Sequence, residues 1–108
     1  KKYDKAERMY RQQLEILEKT LPENHPQIIT KKGNLGELLR TQGKLEEAET
    51  LMRSALNAFE VRCGIESGSF KEWLAQAVPF LQLLQQQGKM AEATKLKARI
   101  YQVNERFT

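Results

Sequence analysis

Residues that often carry reaction chemistry are few in this sequence of 108 residues, and their spacing does not bring them together. His25 is the only histidine and Cys63 the only cysteine. A catalytic histidine needs a partner within hydrogen-bond reach, but the spacing suggests no Ser, Asp or Cys for His25. Cys63 has no Cys or His neighbour at metal-ligand spacing, and no Gly-rich phosphate loop or carboxylate pair is present. We therefore expect no enzyme, no metal and no cofactor.

The charge distribution argues against a nucleic-acid partner. Eighteen basic and 14 acidic side chains give a formal net charge of +4 at pH 7. The basic excess gathers near the two ends of the chain, where acids and amides are interleaved with it. A solvated, charged helix face explains this pattern better than a phosphate-binding patch. The residues concerned are Lys1, Lys2, Lys5, Arg8 and Arg11, and then Lys89, Lys95, Lys97, Arg99 and Arg106.

Length and hydropathy limit the classes of protein to which this chain can belong. A chain of 108 residues has room for one domain with a modest core. Forty per cent of the residues are hydrophobic and 30% are charged, which is typical of a helical protein in water. The longest apolar stretches fall far short of the roughly 20 residues that a membrane-spanning helix needs. We expect a cytoplasmic protein with no membrane segment.

Apolar residues recur at helical spacing in five segments of the chain. The predicted helices cover residues 4–20, 26–42, 45–61, 70–87 and 90–106. Pro26 suits the first turn of the second helix, and Gly43 suits the left-handed turn that ends it. Ser67 or Ser69 is predicted to cap the fourth helix. Pro79 lies inside that helix, where it removes a backbone hydrogen bond, and it predicts a kink or a break.

One sequence motif occurs three times in altered form. Its copies read KYDKAE, GKLEEAE and GKMAEAT. The aligned alanines Ala6, Ala48 and Ala93 are 42 and 45 residues apart. Periods of this size are typical of solenoids, in which short helical units stack on one another. Solenoids present an extended binding surface, so the periodicity favours a binding module.

The segments around this motif belong to a longer pattern. They are ENHP at residues 23–26, GNLG at 33–36, GKLEEAE at 43–49, MRSAL at 52–56, and the whole of residues 2–19. Together they resemble tetratricopeptide repeats, in the longer variety of roughly 42 residues found in kinesin light chains. The resemblance is strong over residues 1–62 and weak over residues 70–106.

The resemblance implies an all-α solenoid of about five helices paired as antiparallel hairpins. Residues 1–21 would form the second helix of a partial repeat, 25–62 a complete repeat, and 68–106 a degenerate C-terminal capping repeat. We then expect the chain to continue a longer array, or to have another chain cover its first helix. The alternative function is structural, with self-association through an exposed stripe on that helix. The stripe residues are Tyr10, Leu14 and Leu17.

The leading function implied by the resemblance is recruitment of a peptide or partner protein. In such arrays a groove is lined by the first helices of successive repeats. Asn34 could bind a peptide backbone there, because its amide both donates and accepts, or it could bond one helix to another. Arg40 could hold a carboxylate, or it could be solvated. The groove candidates are Thr30, Gly33, Asn34, Glu37, Arg40 and Thr41, with Gln76, Gln82 and Gln85 from the last repeat.

Several other residues bear on how the helices pack. Gly36 is expected to face Ala48, because two helices can cross closely only where side chains are small. Two residues depart from the family pattern. Lys32 stands where the family prefers a large apolar residue, and Gly33 replaces the first of two asparagines. Trp73 is interpreted as a packing residue and not as a ligand-stacking site.

Overall fold

The chain folds into five α-helices. A computed structural model describes residues 2–63 and 70–107, and no residue in those ranges lies in a β-strand. The all-α fold class is therefore confirmed, and the predicted helix bounds are correct to within two residues. The helices are α1 (Lys2–Thr20), α2 (Pro26–Thr41), α3 (Leu45–Cys63), α4 (Phe70–Gln86) and α5 (Met90–Phe107).

Two turns of the same kind end α2 and α4. Gly43 and Gly88 have φ angles of 83° and 76°, in the left-handed region that only glycine adopts without strain. In each turn the N–H of the following lysine donates to a carbonyl five residues earlier, at 2.9 Å. This is the hydrogen bond of a Schellman motif. The chain therefore reverses in the same way twice, 45 residues apart.

The start of α2 is defined by its capping residues. The Nδ1 atom of His25 accepts a hydrogen bond from the N–H of Gln27 at 3.2 Å. Pro26 occupies the first turn, where its missing N–H costs nothing. His25 therefore acts as a turn and capping residue, as its place before a proline predicts.

Pro79 does not break α4. The helix runs without interruption from Phe70 to Gln86, so the predicted break is wrong, while the kink stays a prediction. Buried side chains on both sides of the proline, Ala77 and Phe80 among them, anchor the helix to its neighbours. That packing outweighs the loss of one backbone hydrogen bond. Ser67 and Ser69, predicted as caps, lie outside the described residues.

The helices pack in chain order. Each one lies against the next, and α2 also touches α4, which is how the first helices of neighbouring repeats meet in a solenoid. The core repeats as well, because residues 45 positions apart are buried in the same way. These pairs are Ile28 with Trp73, Leu35 with Phe80, and Leu39 with Leu84.

α2 and α3 approach each other closely at Gly36. A Cβ atom at this position would lie 2.7 Å from the Cγ of Met52 and 3.4 Å from the carbonyl oxygen of Ala48. The expected contact between Gly36 and Ala48 is therefore confirmed. Any larger residue would push α2 away from α3.

Lys32 is buried between the helices with only 7% of its surface exposed. Its Nζ atom donates to the hydroxyl of Ser54 on α3 at 2.9 Å. Where the family prefers an apolar contact, this chain therefore has a hydrogen bond between α2 and α3.

Charged side chains join α1 to the turn after α2. The carboxylate of Glu7 accepts hydrogen bonds from Gln42 Nε2 at 2.9 Å and from Lys44 Nζ at 3.0 Å. Arg11 donates to Glu7 at 2.9 Å and to Glu47 on α3 at 2.5 Å. These hydrogen bonds, that from Gln42 most of all, lower the pKa of Glu7 from 4.5 to about 2. We call these five residues the first joint.

The same arrangement joins α3 to the turn after α4. Glu49 accepts from Lys89 Nζ at 2.5 Å and from Arg53 at 2.7 Å, and it is also hydrogen-bonded to Gln87. Arg53 forms an ion pair of 2.6 Å with Glu92 on α5. We call these five residues the second joint. Each of them stands 42 or 45 positions after its counterpart in the first joint. The lysine most of all lowers the pKa of Glu49 to about 2.

The outer side of α5 lacks the residues for a third joint of this kind. Thr94 and Ala98 occupy the positions that Glu49 and Arg53 occupy on α3. Neither side chain carries a charge, so α5 has no carboxylate there to receive the turn of a further repeat.

We predict that Gly36→Leu lowers the free energy of unfolding by about 2 kcal/mol, because overfilling a packed crossing costs about 1–3 kcal/mol. The matched control is Gly33→Leu in the same helix. There the nearest atom is the end of the flexible Gln76 side chain, at 2.8 Å. Both changes raise helix propensity equally. The difference between the free energies of unfolding of the two variants, measured by urea denaturation, therefore isolates the crowding at Gly36. Equal effects would contradict the close approach.

The lowered pKa of Glu49 predicts an acid-sensitive contribution to stability. A carboxylate with a depressed pKa stabilises the fold above its unfolded pKa and loses that contribution as pH falls through the folded pKa. Glu49→Gln should therefore lower the free energy of unfolding by about 1–2 kcal/mol at pH 7. Its difference from the parent chain should shrink between about pH 4.5 and pH 2. Urea denaturation across this range measures the effect, with the exposed Glu105→Gln as control. A constant difference would contradict the prediction.

Candidate functional site

A cleft of about 480 Å³ lies between α2 and α4, and we call it the α2–α4 cleft. Four groove candidates on α2 line it, namely Thr30, Gly33, Asn34 and Glu37. Gln76 lines it from α4. The fold therefore brings together side chains that are more than 35 positions apart in the sequence.

The floor of this cleft is apolar. Ile29 of α2 and the side chains of Met52 and Phe59 on α3 line it, and all three are buried. Pro79 contributes a further apolar surface from α4. An apolar floor with a few polar groups at its edge is the usual composition of a ligand site in a protein.

Gly33 and Gln76 form a close contact between α2 and α4. A Cβ atom at Gly33 would lie 2.8 Å from the Oε1 atom of Gln76. The asparagine that the family pattern has at this position would therefore displace the Gln76 side chain. This departure from the family pattern lets the amide of Gln76 lie against α2 at Gly33.

A backbone carbonyl adds a third polar group. Pro79 has no N–H, so the carbonyl of Ala75 cannot receive the usual helical hydrogen bond from the residue four positions later. Ala75 and Pro79 both line the α2–α4 cleft, and Ala75 is exposed. This carbonyl can therefore accept a hydrogen bond from a ligand.

Two of the groove candidates on α2, Arg40 and Thr41, are not among the residues that line this cleft. Arg40 pairs with Glu37, which raises its pKa, and it also donates to Gln86 Oε1 at 3.3 Å. The hydroxyl of Thr41 donates to the backbone carbonyl of Glu37 at 3.0 Å. Arg40 is therefore occupied in holding α2 to α4. Gln82 and Gln85 are exposed elsewhere on α4.

Two charged residues of the cleft were missed in the sequence. Arg62 lies near the end of α3 and Glu72 in the first turn of α4, and both line the cleft beside Pro26. Spacing offers one signal, since Arg62 follows the buried Phe59 by three positions and so shares its side of α3. For Glu72 we find no such signal.

A model of the tetratricopeptide repeat matches residues 1–60, which span α1, α2 and most of α3. The chain belongs to the tetratricopeptide repeat family. Repeats of this family generally mediate protein–protein interactions. A search of curated proteins finds no match to the chain.

In this tetratricopeptide chain the predicted self-association stripe is largely covered. Leu14 is buried, with 8% of its surface exposed, and Tyr10 and Leu17 pack against the core. Leu14 is therefore not exposed as expected, while Tyr10 and Leu17 are only partly buried. The exposed large hydrophobic residues of α1 are Tyr3, Met9 and Ile16. Self-association itself stays a prediction.

Trp73 is a core residue of the tetratricopeptide fold, as its sequence context predicts. Its ring is fully buried, and its Nε1 atom donates to Glu60 at 3.1 Å. Arg99 of α5 lies over the ring, 5.6 Å from its centroid, and pairs with Glu60 at 2.6 Å. These contacts connect α3, α4 and α5, and they leave no open ring face for a ligand on the side of Arg99.

Within residues 2–63 and 70–107, no group of three or more His, Cys, Asp or Glu side chains could hold a metal ion. In the same ranges, no helix is both long enough and apolar enough to cross a membrane. The side chain of Cys63 lies outside the described residues.

Proposed function

We propose that this tetratricopeptide chain is an adaptor module that binds a partner protein by holding an extended peptide segment of it in the α2–α4 cleft. The observation that carries this proposal is the placement of two side-chain amides, Asn34 and Gln76, on opposite walls of one cleft. In this account the chain binds and does no reaction chemistry.

The polar groups of the cleft suit an extended peptide backbone. Such a backbone offers N–H and C=O groups alternately along its length. The amides of Asn34 and Gln76 can each donate and accept, and the carbonyl of Ala75 can accept. These groups can pair with backbone atoms whatever the peptide sequence is. They therefore fix the position of a peptide without specifying its side chains.

The apolar floor supplies selectivity for a side chain. Ile29, Met52 and Phe59 offer a buried surface to any group that enters the cleft. Burying an aliphatic or aromatic side chain there would contribute about 1.5–3 kcal/mol. We therefore infer that the bound segment places one apolar residue in the cleft, between backbone groups held by Asn34 and Gln76.

We also propose a finer classification of the repeats. We infer that the repeats are of the longer type similar to kinesin light chains, which the spacing of Ala6, Ala48 and Ala93 supports. Residues 1–21, 25–62 and 68–106 would then be a partial repeat, a complete repeat and a degenerate capping repeat. The absence of charged side chains at Thr94 and Ala98 of α5 supports the capping role. A cytoplasmic location, with a partner protein there, is consistent with the single cysteine.

Selection from a random peptide library displayed on phage, with the chain immobilised, would test the function. For selected peptides we predict that Asn34→Ala weakens binding about tenfold, because a lost hydrogen bond costs roughly 1 kcal/mol or slightly more. Gln76→Ala should have a similar effect. The matched control is Asn57→Ala, an exposed asparagine on α3 that lies away from the cleft.

Two results would count against the proposal. Peptides whose affinity is unchanged by Asn34→Ala and Gln76→Ala would bind somewhere else on the chain. An equal loss with Asn57→Ala would show a general effect on the fold. Circular dichroism of all three variants, with the parent chain, separates that case from a loss of contact.

A further inference from the structure

Lys32 is the one charged residue that the described part of the chain buries. Its ammonium group donates to the hydroxyl of Ser54 at 2.9 Å. Among the residues that the structure describes, none brings a carboxylate within ion-pair distance of this ammonium group. A buried charge without a counter-ion lowers stability, and an apolar residue of similar volume is often the more stable choice. The hydroxyl of Ser54 alone leaves the charge of Lys32 unneutralised.

Ser54 also lines a cavity of about 590 Å³ beside α3. Thr50 and Asn57 line it from the same helix, and Glu23 and Asn24 line it from the turn between α1 and α2. We call it the α3 cavity. It has no lining residue in common with the α2–α4 cleft, so it is a separate candidate site.

The hydroxyl of Ser54 connects the α3 cavity to the buried charge. A serine oxygen has two lone pairs and carries one hydrogen. Since a lone pair receives the N–H of Lys32, the O–H is left to donate to a ligand in the cavity. The side-chain amide of Asn24 offers further donors. An anionic group bonded to this hydroxyl would lie close to the ammonium group and would supply the missing counter-charge.

Glu23 brings the opposite charge to another part of the cavity wall. It is exposed, and no cation of the described residues pairs with it. Glu49 and Arg53 line the cavity as well, but they pair with each other in the second joint. The charges left for a ligand are therefore the ammonium group behind Ser54 and the carboxylate of Glu23. A ligand with one negative and one positive group matches them, whereas Glu23 would repel a polyanion.

We propose that the α3 cavity binds a small zwitterion, with its carboxylate on Ser54 beside Lys32 and its ammonium group on Glu23. Free amino acids have this charge pattern at neutral pH. Ala58 and Val61 also line the cavity and offer an apolar surface to a short aliphatic chain. Ligand binding then accounts for a lysine at the position where the family pattern has an apolar residue.

A series of ω-amino acids tests the proposal, because it holds the two charges at graded separations. The probes are glycine, β-alanine, γ-aminobutyrate and ε-aminocaproate. Acetate, methylammonium and inorganic phosphate are the controls. NMR titration of the full chain, followed at the amides of Asn24 and Ser54, measures the affinities. We expect one zwitterion to bind about tenfold more tightly than acetate or phosphate, because it gains a hydrogen bond to a charged group.

Variants of the chain assign the site. Lys32→Met removes the charge and keeps an unbranched side chain, so it should weaken binding about tenfold without lowering the free energy of unfolding. Ser54→Ala should weaken binding similarly, and Glu23→Gln should abolish the preference for the zwitterion over acetate. Lys97→Met, at an exposed lysine of α5, is the matched control. Zwitterion binding should also survive Asn34→Ala, because the two sites are separate.

Three outcomes would overturn the proposal. The first is that no zwitterion of the series binds more tightly than acetate. The second is an affinity that Lys32→Met or Ser54→Ala leaves unchanged. The third is tighter binding of phosphate than of every zwitterion, since that would assign the cavity to a polyanion. Should Lys32→Met fail to fold in urea denaturation, Ser54→Ala alone decides the second outcome.

Discussion

The carboxylate of Glu49 is the contact on which the candidate site depends most. Lys89 and Arg53 hold it, and Arg53 continues the network to Glu92 on α5. This network helps to hold the hairpin of α4 and α5 on α3, together with the buried side chains of α4. Glu7 does the same for α1 and the hairpin of α2 and α3. The cleft is thus a consequence of repeat stacking, since no single helix could form it.

Small residues determine how close the helices can come once the joints have aligned them. Gly36 lets α2 contact Met52 of α3, and Gly33 lets Gln76 of α4 approach α2. The two glycines are three positions apart in the sequence and yet serve two different interfaces. The first stabilises the repeat, while the second shapes the cleft. A side chain at Gly33 would therefore alter the cleft more than the fold.

Local features of the fold were predictable from the sequence. The helix bounds follow from apolar periodicity, and the turn at Gly43 follows from the conformation that glycine permits. Four of the cleft residues on α2 were also predictable, because the family pattern assigns that side of the helix to the groove. The continuity of α4 through Pro79 was not predictable, because the sequence pattern shows the cost of a proline but not the packing on either side of it.

The remaining errors come from side-chain pairing across the fold. The sequence offers Arg40 as a groove residue, but nothing in its spacing shows that it pairs with Glu37 and Gln86. The same limit applies to the joints. The pair of Arg11 with Glu47 joins residues 36 positions apart. Periodicity reveals that both joints are built alike only after one of them has been seen in three dimensions.

The central claim is that stacking of the repeats forms a binding cleft between α2 and α4. Amide NMR titration of the chain with a library-selected peptide tests this claim most directly. We predict chemical-shift changes centred on Thr30, Gly33, Asn34 and Gln76, with the amides of α5 unchanged. Changes confined to α1 or α5, with none along the facing sides of α2 and α4, would contradict it.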